Sequence, residues 1–270
     1  TAAAINGSNI TNLPAANLTG TLPAISGANL TNIPSRTTPF RNLIDNGAMR
    51  VSQRGTSAVS FAHDGTTSDF SLDRWKTNTY NLDEYDWTMQ QVSDGPAGFA
   101  KSMKWTTGTA ESAVATDEYA GIQQALEGQD YQSLCYGTSD AKSTILSFWV
   151  KSSITGTYAV SLYRNESTQR AINGTYTISS ANTWEKKTIT FAGDTSGPAI
   201  TSDNIERFRI FFAVGAGATY NATATSSWAN YVNGHWAGGQ ATNGVLTTAG
   251  ATWYLTGVQF EIGSTATDYE

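Results

Sequence analysis

Two stretches of this sequence concentrate side chains able to hold a polar ligand with a flat apolar face. The first lies between Gly215 and Gly250, where Tyr220, Trp228, Tyr231, His235 and Trp236 are set among Ser, Asn, Gly, Ala and Thr. An indole or phenol ring stacks on the C–H face of a pyranose, and neighbouring hydroxyls and amides exchange hydrogen bonds with the sugar hydroxyls. Trp236 is the expected platform and Trp228 the expected anchor, with Tyr231 and His235 beside them. Bulky rings in a long loop serve equally to pin the loop to the body. The second stretch alternates rings with acids through Tyr80, Asp83, Glu84, Tyr85, Asp86 and Trp87. Tyr85, Asp86 and Trp87 are sugar-contact candidates there, and an exposed acidic edge strand explains the same pattern. Asp73-Arg74-Trp75 is a third possible platform, but it closes a polar loop where a strand should start. It therefore reads as an ion pair under a core Trp, and Gln53-Arg54 and Gln259 with Glu261 read the same way.

Catalysis needs a constellation that the sequence does not display. Asp83-Glu84, Asp117-Glu118 and Glu166 supply carboxylates, but a glycosidase needs two on opposite sides of one bond, and spacing identifies no such pair. His63 and His235, the two histidines, form no H-x-x-x-H metal pattern, and no G-x-S-x-G elbow is present. Cys135, between Leu134 and Tyr136, reads as a buried small hydrophobe. The chain is thus read as non-enzymatic, with no catalytic residue and no cofactor. Asp64, Asp69 and Asp73 could hold a structural Ca²⁺, though their spacing matches no standard loop.

The elements that must position the rings are strands. Leu146, Phe148 and Val150 alternate with polar neighbours, as do Tyr158, Val160 and Leu162; Phe208, Ile210, Phe212 and Val214; and Val258, Phe260 and Ile262. Further strands are expected near 58–62, 85–92, 99–105, 119–126 and 184–191, separated by Gly, Asn, Asp and Ser. About ten strands of this kind predict an all-β, jelly-roll-like β-sandwich head over residues 39–270.

Residues 1–38 have a different texture. Residues 4–14 read A-I-N-G-S-N-I-T-N-L-P and residues 24–34 read A-I-S-G-A-N-L-T-N-I-P; seven of eleven positions match and two exchange Ile with Leu. No charged or aromatic side chain occurs before Arg36. A single copy buries too little to offset a backbone ordering cost of roughly 1–2 kcal/mol per residue. Several chains winding together would bury the aliphatic row, so the repeat predicts a trimerising stalk and a homotrimer. A disordered linker is the other reading. The N-x-T triplets at Asn9, Asn17 and Asn29 belong to this repeat, so they are not read as glycosylation sites.

The composition narrows the partners. Of 270 residues only 14% are charged, and the net charge of −6 leaves no basic stripe for a phosphate backbone, so nucleic acid is not an expected partner. One cysteine makes no intrachain disulfide, and no apolar run is long enough to span a membrane, so no membrane insertion is expected. A first residue of Thr1 is read as a fragment or processed product, so a missing signal peptide is uninformative.

Asn42-Leu43-Ile44-Asp45-Asn46-Gly47-Ala48-Met49-Arg50, Gln53-Arg54-Gly55, Asp73-Arg74-Trp75 and the closing Tyr254-Leu255-Thr256-Gly257-Val258-Gln259-Phe260-Glu261-Ile262-Gly263, together with the N-L-T-G-T-L-P type repeat, resemble the distal head of bacteriophage tail fibre proteins. The resemblance implies a homotrimeric virion protein of the tail fibre, extracellular, joined to upstream fibre or tail proteins. It implies a head similar to carbohydrate-binding modules that attaches to bacterial surface glycan, lipopolysaccharide or capsule. A polysaccharide depolymerase and a purely structural fibre segment are the alternatives.

Overall fold

A strand that alternates apolar and polar side chains buries one face and needs a second sheet to bury it against. The computed structural model resolves that requirement as two antiparallel sheets packed face to face. It describes residues 41–62, 65–67 and 69–270. The expected stalk and trimer, together with His63 and Asp64, lie outside the described residues.

One sheet holds β1 (Val59–Phe61), β5 (Trp87–Val92), β6 (Ser102–Thr107), β14 (Thr252–Ile262), β8 (Thr144–Ser152) and β11 (Glu185–Phe191), in that spatial order. The other holds β13 (Ala229–Asn230), β10 (Arg170–Ile178), β9 (Gly156–Arg164), β12 (Glu206–Ala216), β7 (Tyr119–Glu127), β4 (Trp75–Leu82) and β2 (Gly65–Thr67), with β3 (Phe70–Leu72) also paired to β4. The chain crosses between sheets after β1, β4, β6, β7, β8, β10, β11 and β13, and only β5/β6 and β9/β10 are simple hairpins of long strands. This is a β-sandwich of jelly-roll type. The segments expected as strands all form them; β4 and β10 are the long strands that the alternation did not announce.

The inner faces meet in an aromatic core. Trp75, Trp87, Trp105 and Trp253 are fully buried there, and Trp87 stacks on Trp105 with centroids 5.2 Å apart. In β14 a bulge between Thr256 and Gln259 centres on Gly257, at φ +61. The extra residue resets the pleat, so Leu255 and Val258 both point inward. A Cβ at Gly257 would lie 2.7 Å from the Phe99 ring.

The eight-stranded sheet is buried on its outer face as well. Phe208, Ile210, Phe212 and Val214 of β12 enter the inter-sheet core, while Phe211 and Ala213, of opposite parity, join Ala159, Tyr163, Ala216, Tyr220, Trp236 and Ala237 in a second cluster. The cover is the segment that follows β12. It forms α1 (Ala218–Asn221), a 3-10 turn at Asn233–His235 and α2 (Gly244–Thr247). Polar side chains on the sheet hold it down. Ser161 Oγ donates to the carbonyls of His235 at 3.1 Å and Trp236 at 2.7 Å, and Gln240 Oε1 accepts the Ala159 N–H at 2.6 Å. Each bond satisfies a buried group that water cannot reach.

Candidate functional site

Where that cover stops, the same sheet face opens into a groove of 370 Å³, within the range of small-ligand pockets. Outward positions of four adjacent strands form its bed. Lys76, Asn78 and Tyr80 project from β4, and the register sets Lys76 opposite Gln123 and Tyr80 opposite Tyr119 on β7. Arg209 of β12 and Tyr163 of β9 stand opposite one another at one side. Tyr220, Tyr231, Asn233 and Trp236 of the covering segment complete the lining.

Tyr80 is 41% exposed and stacks parallel to Tyr119, centroids 5.9 Å apart. Tyr119 is fixed from below, edge-on to Phe211 at 5.8 Å, and its hydroxyl donates to Asn78 Oδ1 at 3.0 Å. Asn78 in turn donates to Gln123 Oε1 at 2.7 Å. Burial raises the phenol pKa values of Tyr119, Tyr163, Tyr220 and Tyr231, that of Tyr231 to about 12, so all four hydroxyls stay protonated near neutrality. The hydroxyls of Tyr80, Tyr163, Tyr220 and Tyr231 make no hydrogen bond among the described residues. They are free to donate to and accept from a ligand.

Trp236 sits lower than the sequence suggested. It is only 5% exposed and stacks on Phe211, centroids 4.8 Å apart, so it forms the floor of the groove instead of a platform. The close approach depends on Gly121, because a Cβ there would lie 2.5 Å from the Phe211 ring. His235 is buried with Nδ1 accepting the Val232 N–H at 3.3 Å, and burial lowers its pKa, so it is neutral and structural. Trp228 donates its indole N–H to the Ala192 carbonyl at 2.7 Å and meets Tyr136 edge-on, which ties the loop to the sandwich away from the groove. Tyr231 lines the groove, edge-on to Tyr163 at 5.1 Å.

The second sequence cluster divides. Tyr80 belongs to the groove, but Tyr85 and Trp87 are core residues at 0% and 2% exposure and offer no face to a ligand. The chain turns between β4 and β5 and changes sheets, so Trp87 begins β5 on its inner face. Asp86 accepts the Thr109 hydroxyl at 3.0 Å and is not among the groove-lining residues. Trp75 is likewise core, and Arg74 pairs with Asp45 at 2.9 Å in the open instead of with Asp73 beneath the indole. Cys135 is also corrected: it is half-buried, in a left-handed turn at φ 54 after the 3-10 turn that buries Leu134.

Asp83, Glu111 and Glu118 bring carboxylate oxygens within 4.8 Å of one another. Burial, and then the neighbouring acids, raise the pKa of Glu111 and of Glu118. Of the three aspartates that could hold a Ca²⁺ by sequence, Asp64 is outside the described residues and Asp73 accepts the Gln53 N–H at 2.6 Å. A larger hollow of 620 Å³, around Asn42, Asp45, Asp73 and Glu127, has no aromatic lining for a sugar to stack on.

No family model matches the sequence, and neither does any curated protein. Comparison with solved structures finds partial similarities. The enzymatically active domain of tailspike protein 4 from bacteriophage CBA120 is similar at 14% identity and a TM-score of 0.43, over 84% of this chain and 22% of that one. A putative sugar binding protein from Bacteroides thetaiotaomicron is similar at 12% identity and a TM-score of 0.43, over 82% of this chain and all of that one. The family 11 carbohydrate-binding module of a Clostridium thermocellum cellulosomal cellulase follows at 13% identity and a TM-score of 0.36, over 77% of this chain and 99% of that one. This chain thus spans about a fifth of the tailspike domain and essentially the whole of the two binding proteins.

Lys76, Asn78, Tyr119, Gln123, Tyr163 and Arg209 were not singled out by sequence. Their signal was strand parity: each sits one position off an inward residue, and only the long covering segment shows which outward positions remain open.

Proposed function

We propose that the groove is a glycan site, and that the chain serves as the non-enzymatic binding head of a phage tail fibre that attaches to bacterial surface polysaccharide. One observation carries this reading: five tyrosines and a tryptophan surround a single open groove, with an exposed ring at Tyr80 and four tyrosine hydroxyls that find no partner among the described residues. That combination supplies stacking faces and hydroxyl-matched hydrogen bonds together, which is what a saccharide needs from a surface. The tail-fibre motifs at both ends of the head and the stalk-like repeat support the phage assignment. A trimer would add avidity to three shallow sites.

The test is glycan binding by the 270-residue chain, followed by Tyr80→Ala and Tyr119→Ala. The expected result is retention on immobilised host polysaccharide that both substitutions weaken, with no reducing ends released. Release of reducing ends would instead favour a depolymerase, and unchanged retention in both variants would remove the groove from consideration.

A further inference from the structure

The groove carries charge of one sign. Lys76 and Arg209 are the charged residues that line it, and no acid lines it, although the chain as a whole has a net charge of −6. Both cations lean on one carboxylate: Lys76 Nζ lies 3.2 Å from Glu206 Oε2, and Arg209 Nε pairs with Glu206 Oε1. Two positive charges against one negative leave one positive charge at the edge of the groove.

The orientation of Arg209 matters more than the count. Its pairing with Glu206 uses Nε alone, and Nη1 and Nη2 have no hydrogen-bond partner among the described residues. The guanidinium packs over the Tyr163 ring, 5.4 Å from its centroid, and Tyr163 is itself held by Trp236 and Tyr231. The fork is thus backed by an aromatic face, pinned at one nitrogen and 29% exposed. A planar pair of N–H donors fits a carboxylate through two parallel bonds, which a lysine cannot reproduce. Neutral sugar hydroxyls can also accept from the fork, but they bring no negative charge to meet the guanidinium.

We infer that the groove selects acidic glycans, in which a carboxylate-bearing sugar such as a uronic acid docks on Arg209 with Lys76 beside it while a neighbouring ring stacks on Tyr80. This inference rests on the reading of the groove as a glycan site. Glu206 acts as a positioning residue: it aims the guanidinium and partly masks its charge.

An array of neutral and carboxylate-bearing saccharides, followed by titration of the tightest binder and of its carboxyl-reduced, neutral form, tests both readings separately. The expected result is that the tightest binders are acidic and that reducing the carboxyl weakens binding about tenfold or more. Arg209→Gln is expected to weaken binding of the acidic form about tenfold or more beyond that of the neutral form, and Arg209→Lys, which keeps the charge but not the fork, to give an intermediate preference. Glu206→Gln is expected to tighten acidic binding, an outcome that a purely structural ion pair would not give. Equal affinity for the acidic and neutral forms, with Tyr80→Ala still weakening both, would overturn the inference and leave the glycan site standing. Binding to no saccharide on the array would overturn both.

Discussion

The outer faces of the two sheets carry similar side chains in opposite states of completion. On the six-stranded sheet, Lys151 lies over Tyr254 at 4.1 Å and over Trp184 at 5.1 Å, and its ammonium pairs with Asp94 at 2.5 Å. Asp94 also accepts the Trp184 indole N–H at 3.2 Å. Rings, cation and acid thus close on one another, and the hydrogen bond from Lys151 leads in holding the Asp94 carboxyl below its ordinary pKa. On the eight-stranded sheet, Arg209 keeps two nitrogens, and Tyr80, Tyr163, Tyr220 and Tyr231 their hydroxyls, unengaged among the described residues beside an open groove. Aromatic residues next to cations therefore do not define a ligand site. What separates the two faces is whether the donors and ring faces are already used.

The comparison breaks most visibly at Trp236. Trp236→Ala removes the slab between the covering segment and Phe211, and should cost about 3–5 kcal/mol in urea unfolding and the groove with it. Trp184→Ala, its counterpart on the closed face, should leave glycan binding unchanged and cost well under that figure, because Trp184 is partly exposed. A smaller effect separates binding from folding: Tyr80→Ala should weaken glycan retention by about tenfold while moving stability by less than about 0.5 kcal/mol, since the ring is 41% exposed.

The smallest effects concern pH. Burial would raise the Glu206 carboxyl, but Arg209 and Lys76 outweigh it and depress its folded pKa. Its contribution to stability is present above the ordinary carboxylate range and lost as pH falls through that lower value. Glu118 has the opposite sign, because burial and then its acidic neighbours raise its folded pKa. Stability falls as pH rises from the ordinary carboxylate range through the raised value, so Glu118→Gln should raise the melting midpoint at neutral pH by about 2 °C and leave it unchanged in mild acid. Melting curves of the Glu206→Gln and Glu118→Gln proteins across pH 3–8 check both signs.

Much of the sandwich was legible because a half-buried strand writes its orientation into the sequence at period two. Phe208, Ile210 and Phe212 announced β12, and Leu146, Phe148 and Val150 announced β8. The site was less legible for the same reason. Parity says that Tyr85 and Trp87 flank a strand, but not that the chain has changed sheets, and that change turned two apparent sugar contacts into core. Trp236 was read as an exposed platform but lies deeper, because its burial depends on Phe211 and on the gap left by Gly121, neither of them near it in sequence.

By itself, the sequence determined the strands, their inward faces, an all-β sandwich and a distinct repeat before it, because propensity and periodicity act over a few residues. Tertiary structure alone decided which outward face would be covered, which tyrosines would meet across β4, β7 and β9, and that Arg209 would be aimed by Glu206 with two donors free. Those outcomes depend on where a long segment lands on a sheet assembled from distant strands, and no local pattern encodes that.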